Sequence, residues 1–191
     1  MRVVTFDIET ANWFADTGSN DPADLQIALV CVHDSETDLY DSFLESELPR
    51  LWKKIEGADL LVGYNSDHFD IPLLNKYYPG DLTKIRSLDL MKEIHNVVGR
   101  RIKLDSVAEA TLGEKKSADG LQSLRWWRAG EIDKVRKYCI KDVELTKKLY
   151  EYGIRNSALK FKELGAIREV KLDTSNWLTG KSGSHTHTLG F

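Results

Sequence analysis

Residues 2–10 read RVVTFDIET. Val3, Val4, Thr5, Phe6 and Ile8 crowd β-branched and aromatic side chains into a short stretch free of Gly and Pro, so Arg2–Ile8 is predicted as a strand. Residues two apart in a strand share a face. Asp7 and Glu9 therefore project to one side, and Phe6 and Ile8 to the other, into a core. Two carboxylates side by side repel each other unless a cation or a proton lies between them. The apolar flanks argue for a central strand rather than an edge one, where two solvated acids would need no explanation.

Outward from this strand, Thr10–Ala23 carries Asn12, Gly18, Asn20, Asp21 and Pro22 and reads as a loop. Leu25–His33 is nearly all apolar, as in a buried strand, and Thr37–Phe43 pairs with it as a hairpin. Leu44–Glu56 has helical spacing at Leu44, Leu48, Leu51, Trp52 and Ile55 and is closed by Gly57. Ala58–Gly63 is a further buried strand, His68–Tyr78 a helix and Ile85–Leu88 a fifth strand. Helices follow over 89–97 and 104–112. Glu131–Gly153 is the clearest helix, with Ile132, Val135, Cys139, Val143 and Leu149 on one stripe. Ala166–Thr174 alternates as a strand, and the tail from Thr179 is expected to be mobile. Three strands, a helix, a strand and then mostly helices describe an α/β domain with a mixed sheet.

The composition is consistent with this. The chain has 191 residues, 41% of them hydrophobic and 30% charged, which suits one compact domain and excludes a wholly disordered or low-complexity chain. No apolar run approaches the ~20 residues of a membrane helix, and the N-terminus enters a strand with no apolar leader, so the expectation is a cytoplasmic protein with no membrane role. Cys31 and Cys139 are the only cysteines, too few for a disulfide framework or a four-cysteine zinc site, and both are expected in the core. Residues 155–191 hold six basic and three acidic residues, net +3, against 21 basic and 27 acidic in 1–154, net −6. Within that acidic body 99–128 is locally basic: Arg100, Arg101, Lys103, Lys115, Lys116, Arg125 and Arg128 face Asp105, Glu109, Glu114 and Asp119. Acidic and basic stretches side by side suit a site that binds cations next to a polyanion, although a solvated mixed-charge surface has the same composition.

Two further acids stand out. Asp70, in LVGYNSDHFDIPLL, follows a buried strand and a polar turn at the start of a helix; taken alone, it is a capping acid. Asp142 comes four residues after Tyr138 in YCIKDVELTKKLY, which puts both on one helical face. Asp142 adjoins the apolar stripe of Cys139 and Val143 rather than the Lys/Glu face.

Together, FDIET, YN-x3-FD and Y-x3-D resemble the DEDD superfamily of 3′–5′ exonucleases, in the branch with a tyrosine in its third motif. Motif one is carried by Asp7 and Glu9, motif two by Asn65, Phe69 and Asp70, motif three by Tyr138 and Asp142. KLDSVAEATLGEKKS, residues 103–117, is similar to the segment between motifs two and three in the proofreading exonuclease domains of family B DNA polymerases. The resemblance covers about 1–153. The whole chain, 1–191, is read as one exonuclease domain in which 154–191 is a C-terminal extension outside the motifs.

The resemblance implies a ribonuclease H-like fold, a mixed central sheet flanked by helices, and two divalent cations, Mg²⁺ or Mn²⁺. It implies that Asp7 bridges both ions, that Glu9 and Asp142 hold the one that activates water, that Asp70 holds the other side, and that Tyr138 orients the nucleophilic water. Four carboxylates and no Cys/His cluster match the preference of these hard ions for oxygen. Thr10, Trp13, Phe14, Asn65 and Phe69 are candidate substrate contacts; Trp13 and Phe14 follow the acidic strand, where an aromatic side chain can stack on a terminal base. Trp126 and Trp127, with Arg125 and Arg128, are candidates for the strand path, and helix packing explains at least one of the two Trp. His185 and His187 form an H-x-H read as incidental. The expected activity is hydrolysis of single-stranded DNA to nucleoside monophosphates, with a polymerase or helicase as a conceivable partner. The alternatives are a 3′–5′ exoribonuclease, because discrimination rests on a 2′-OH contact, and a non-catalytic nucleic-acid-binding or scaffolding module, whose mark would be a broken carboxylate set.

Overall fold

A computed structural model describes residues 1–114 and 120–179. Lys115, Lys116 and Asp119 of the basic stretch, and His185, His187 and the tail beyond Thr179, lie outside the described residues. A five-stranded mixed sheet runs in the order β3 (Leu39–Leu44), β2 (Ile27–Asp34), β1 (Val3–Thr10), β4 (Leu60–Gly63), β5 (Ser87–Asp89). β1 is the middle strand, antiparallel to β2 and parallel to β4; β2 pairs antiparallel with β3, and β4 parallel with β5. β2 is buried along its whole length, as its apolar run requires when both sheet faces are covered.

Alternation along β1 divides the molecule. Val4, Phe6 and Ile8 enter one core cluster with Leu48, Leu51 and Ile55 of α2 (Leu48–Glu56) and Ile71 and Leu74 of α3 (Asp70–Asn75). The other face is covered by α7 (Ile132–Asn156), whose Val135, Cys139 and Val143 pack on Leu29 and Cys31 of β2. The result is helix, sheet and helix in three layers. A third cluster joins Leu60, Val62 and Leu88 to Ile94 of α4 (Leu90–Val98), Val107 of α5 (Leu104–Leu112) and Leu149 of α7.

Several boundaries differ from the sequence reading. β1 runs on through Thr10, because the β2 ladder continues to Thr10↔Ile27 after a shift in register past Glu9. The expected loop then holds a short helix, α1 (Phe14–Thr17), and a 3-10 turn, Pro22–Asp24. α3 starts two residues later than expected and stops at Asn75. α6 (Gly120–Arg128) and the strand β6 (Ala158–Glu163) are additional elements, and β6 forms a hairpin with β7 (Ala166–Lys171). On its far side β6 meets α5: Thr111 Oγ1 donates to the Lys160 carbonyl and accepts the Lys160 N–H, both at 2.9 Å, and Ser106 Oγ does the same for Lys162 at 3.2 and 3.0 Å. Beyond the hairpin Trp177 is buried and stacks on Tyr150 of α7 at 5.9 Å, so part of the expected extension packs into the core. No helix among the described residues is long and apolar enough to cross a membrane.

At Gly63 the chain leaves β4 and folds back so tightly that a Cβ there would lie 2.3 Å from Ser66 Cβ. The colliding atom is fixed to the backbone of the turn, so a methyl group has no room unless the turn shifts. Gly63→Ala is expected to cost about 1–3 kcal/mol of stability, read as a lower urea midpoint with an unchanged m-value.

Candidate active site

β4 ends at Gly63, level with Asp89 of β5, and its ladder with β1 stops at Thr5↔Val62. The last half of β1 therefore runs past its parallel neighbour, and its N–H groups on that side have no strand to pair with. The chain supplies a substitute. After β4 it turns through Tyr64–Phe69 into α3, and Asp70 Oδ1 accepts the Ile8 N–H at 3.1 Å. Asp70 is thus fixed against β1, 62 residues away in sequence, and does not serve merely as a capping acid for its own helix.

The overhang is where Asp7 and Glu9 stand. Their carboxylate oxygens and the Cys139 sulfur of α7 lie within 4.8 Å of one another. The Cys139 thiol donates to the Asp7 carbonyl at 3.4 Å and ties α7 to β1; burial pushes its pKa well above the usual thiol value. Tyr138, just before Cys139, and Asp142, one turn further along α7, face the same opening, both buried. An open cleft of about 300 Å³ is lined by Asp7, Glu9, Asp70, Tyr138 and Asp142. Three elements distant in sequence thus bring five functional groups to one place.

Electrostatics mark the cleft as a place of concentrated negative charge. Burial, then the charges of Asp7 and Asp89, push the Asp70 carboxyl well above the ordinary carboxylate range, and the Ile8 N–H only partly offsets them. Tyr138 meets Trp126 of α6 edge-on, with ring centroids 6.2 Å apart, which fixes the phenol ring from behind.

The candidate substrate contacts separate. Thr10, Trp13, Asn65 and Phe69 line the cleft. Phe14 does not: it turns inward, edge-on to Phe69 at 6.2 Å, against the core. Trp126 and Trp127 pack on the cluster between β2 and α7 instead of lining the cleft. Arg128 pairs with Asp16 at 2.6 Å, and the same Asp16 oxygen accepts the Trp13 N–H at 2.7 Å, so α6 holds the loop that carries Trp13. Beside the cleft, sharing Tyr64 and Asn65 with it, runs a groove of about 500 Å³ that Arg101 and Lys103 border. Arg101 donates to Asn65 Oδ1 at 2.5 Å.

Tyr64 and Asp89 are absent from the sequence reading. Tyr64 lines the cleft, and its hydroxyl donates to the Ile102 carbonyl at 2.7 Å. Its place in YN-x3-FD was the available signal. Asp89 reads as an ordinary residue before a helix, and no local pattern reveals its reach to Asn65.

The fold is matched elsewhere. The family B DNA polymerase from the hyperthermophilic archaeon Pyrobaculum calidifontis superposes with a TM-score of 0.62 at 21% identity, over 81% of this chain and 24% of the polymerase. At that identity the likeness establishes a common fold, and this chain spans about a quarter of the polymerase's length. No curated protein matches the chain. The family model described as RNase_H superfamily matches residues 4–154. That span opens at the second residue of β1 and closes near the end of α7, so the central sheet apart from Val3 and all four cleft carboxylates lie inside it, and the chain belongs to the RNase H superfamily.

Proposed function

We propose that this protein is a metal-dependent 3′–5′ exonuclease that shortens single-stranded DNA and releases nucleoside monophosphates. One observation carries the reading: Asp7, Glu9, Asp70, Tyr138 and Asp142, recruited from β1, the start of α3 and α7, all line one open cleft. The RNase H superfamily match and the fold shared with a family B DNA polymerase support it.

The residues present fit divalent cations. The donors are carboxylate oxygens, the set that Mg²⁺ and Mn²⁺ prefer, and Asp70 is held in a field that penalises its ionised form unless positive charge is near. Asp7, Glu9, Asp70 and Asp142 would hold the ions. Bound there, the ions supply Lewis-acid stabilisation of the charge that develops on the attacking and leaving oxygens.

The remaining roles fall to the chain. Tyr138, braced by Trp126, presents its hydroxyl to the attacking water and aligns it. An ordinary phenol has a pKa of about 10 and is a poor base at neutral pH, so Tyr138 positions the water and does not take its proton. Trp13 stacks on the terminal base, and Thr10, Asn65 and Phe69 shape the pocket for the terminal nucleotide. Arg101 and Lys103 place positive charge beside an acidic cleft, as a polyanionic strand requires. A net charge of −3 is unlike the strongly basic surface that coats a duplex, which favours single strands.

Oligonucleotides of DNA and RNA labelled at either end, with Mg²⁺, Mn²⁺ or EDTA, test the reading. The expected outcome is stepwise shortening from the 3′ end of DNA, abolished by EDTA and by Asp7→Ala or Asp142→Ala, with circular dichroism unchanged. Cleavage of a closed single-stranded circle would refute exonuclease action; preference for RNA would move the substrate to the exoribonuclease alternative. Tyr138→Phe is expected to lose about 10²–10³ in rate, as for one positioning hydrogen bond, with Mn²⁺ affinity retained. Asp142→Asn should lose more, because it also weakens the cation site.

Asp70 gives a test that needs no substrate. Its pKa is raised in the folded state, so the fold favours the neutral acid. That contribution is fully present below the unfolded carboxyl pKa, about 3.9, and is lost as pH rises through the folded value. In EDTA at pH 7, Asp70→Asn is expected to be more stable than the unsubstituted protein, with the two converging near pH 4. Thermal unfolding across pH, repeated with excess Mg²⁺, should show the ranking reverse when the ion is present.

A further inference from the structure

Asp89 ends β5 in register with Gly63, the last residue of β4. It caps α4: its Oδ1 accepts the N–H groups of Met91 at 3.0 Å and Lys92 at 3.3 Å. A cap needs no more than that, yet the same carboxylate accepts two further N–H groups from a different part of the chain. Oδ1 takes Asn65 N–H at 2.7 Å, the shortest of the four, and Oδ2 takes Asp67 N–H at 3.1 Å. Asp67's own carboxylate is tied to β5 and α4, accepting from Ser87 Oγ at 2.8 Å and Lys92 Nζ at 2.7 Å. The turn between β4 and α3 is thus gripped from the neighbouring strand at successive points.

The turn needs that grip. Asn65 has φ 68°, a left-handed backbone that Asn tolerates better than most residues other than Gly but that still restricts what can stand there. The Asn65 carbonyl accepts the Phe69 N–H at 3.1 Å, and the Ser66 carbonyl accepts the Ile71 N–H at 2.9 Å, so the first turn of α3, with Asp70, hangs from the same loop. The Asn65 side chain faces the cleft and receives Arg101. Asp89 itself is buried and does not line the cleft.

We infer that Asp89 is a positioning residue of the cleft: its carboxylate, shared between the α4 cap and the Asn65–Asp67 turn, sets Asn65 and its partner Arg101 where a nucleotide strand is held. This deepens the nuclease reading, and its kinetic consequences rest on that reading.

Asp89→Asn separates the two duties. Asparagine caps a helix as well as aspartate does, and its single carbonyl oxygen stays on the side of Asn65, Met91 and Lys92, where three N–H groups converge. Its NH₂ then faces the Asp67 N–H and breaks that contact, and its neutral oxygen holds the Asn65 N–H more weakly than the carboxylate does, so the turn loosens at both points. The expected result is a KM for a single-stranded oligonucleotide raised about tenfold, the scale of one hydrogen bond to a charged group, with kcat within about threefold. Amide hydrogen exchange measured by NMR should speed up at Asn65 and Asp67 and stay slow at Met91 and Lys92. In an Asn65→Ala background, Asp89→Asn should add no further loss in KM, because both act through one side chain. An unchanged KM in Asp89→Asn, or losses that multiply in the double variant, would overturn the inference and leave Asp89 as a helix cap. If the unsubstituted protein cleaves neither DNA nor RNA with any divalent ion, the nuclease reading fails. Exchange then decides alone: faster exchange at Asn65 and Asp67 supports the grip, and unaltered exchange refutes it.

Discussion

Asp7 and Asp70 stand on adjoining elements at the mouth of the sheet, and the charge of the first raises the proton affinity of the second. Burial strengthens that repulsion, because neighbouring protein screens charge far less than water does. A flexible chain would relieve it by moving the acids apart. Here it cannot: Asp7 lies on the middle strand of five, Asp70 is bonded to the backbone of that strand, and Asp142 lies on the longest helix, whose Cys139 is anchored to Asp7. The three-layer packing keeps like charges together, and the site has its chemistry because the fold withholds the easy relaxation.

The presentation of the acids follows from a difference in strand length. β1 has eight residues and β4 four, so β1 projects beyond its parallel neighbour and exposes backbone on one side. One group left over, the Ile8 N–H, is met by a side chain from the following segment. Asp70 meets Ile8, and Asp89, one strand further out, meets Asn65 and Asp67. The cleft lies at the overhang, where backbone donors and acidic side chains are close enough to answer one another.

Much of this was legible in the sequence where periodicity is strong. Phe6 and Ile8 alternate with Asp7 and Glu9, and the Val135, Cys139, Val143 stripe carries Tyr138 and Asp142 on its border; both patterns survive folding because each element buries one face. The hidden parts depend on contacts remote in sequence. Asp89 looks like any acid ahead of a helix until β5 is laid beside β4. Phe14 and Trp13 are neighbours with equal claims on the cleft, and only the fold shows that Phe14 turns to Phe69 while Asp16 and Arg128 hold the loop that leaves Trp13 at the opening. β6 is hard to see in the sequence although Leu159 and Phe161 alternate with Lys160 and Lys162, because the run is short and its partner follows after a tight turn.

The hydroxyls of Thr111 and Ser106 occupy the outer N–H and C=O groups of Lys160 and Lys162. A two-stranded ribbon with a bare outer edge is a template on which another chain can add a strand, the first step of a growing fibril. Here a helix, by side chains alone, plays the part of the missing strand. It imitates the ladder at alternate residues and offers no backbone of its own for a further strand to copy. Sheet growth therefore terminates at α5, and the hairpin stays a two-stranded appendage of this domain with that edge closed to recruitment from other molecules.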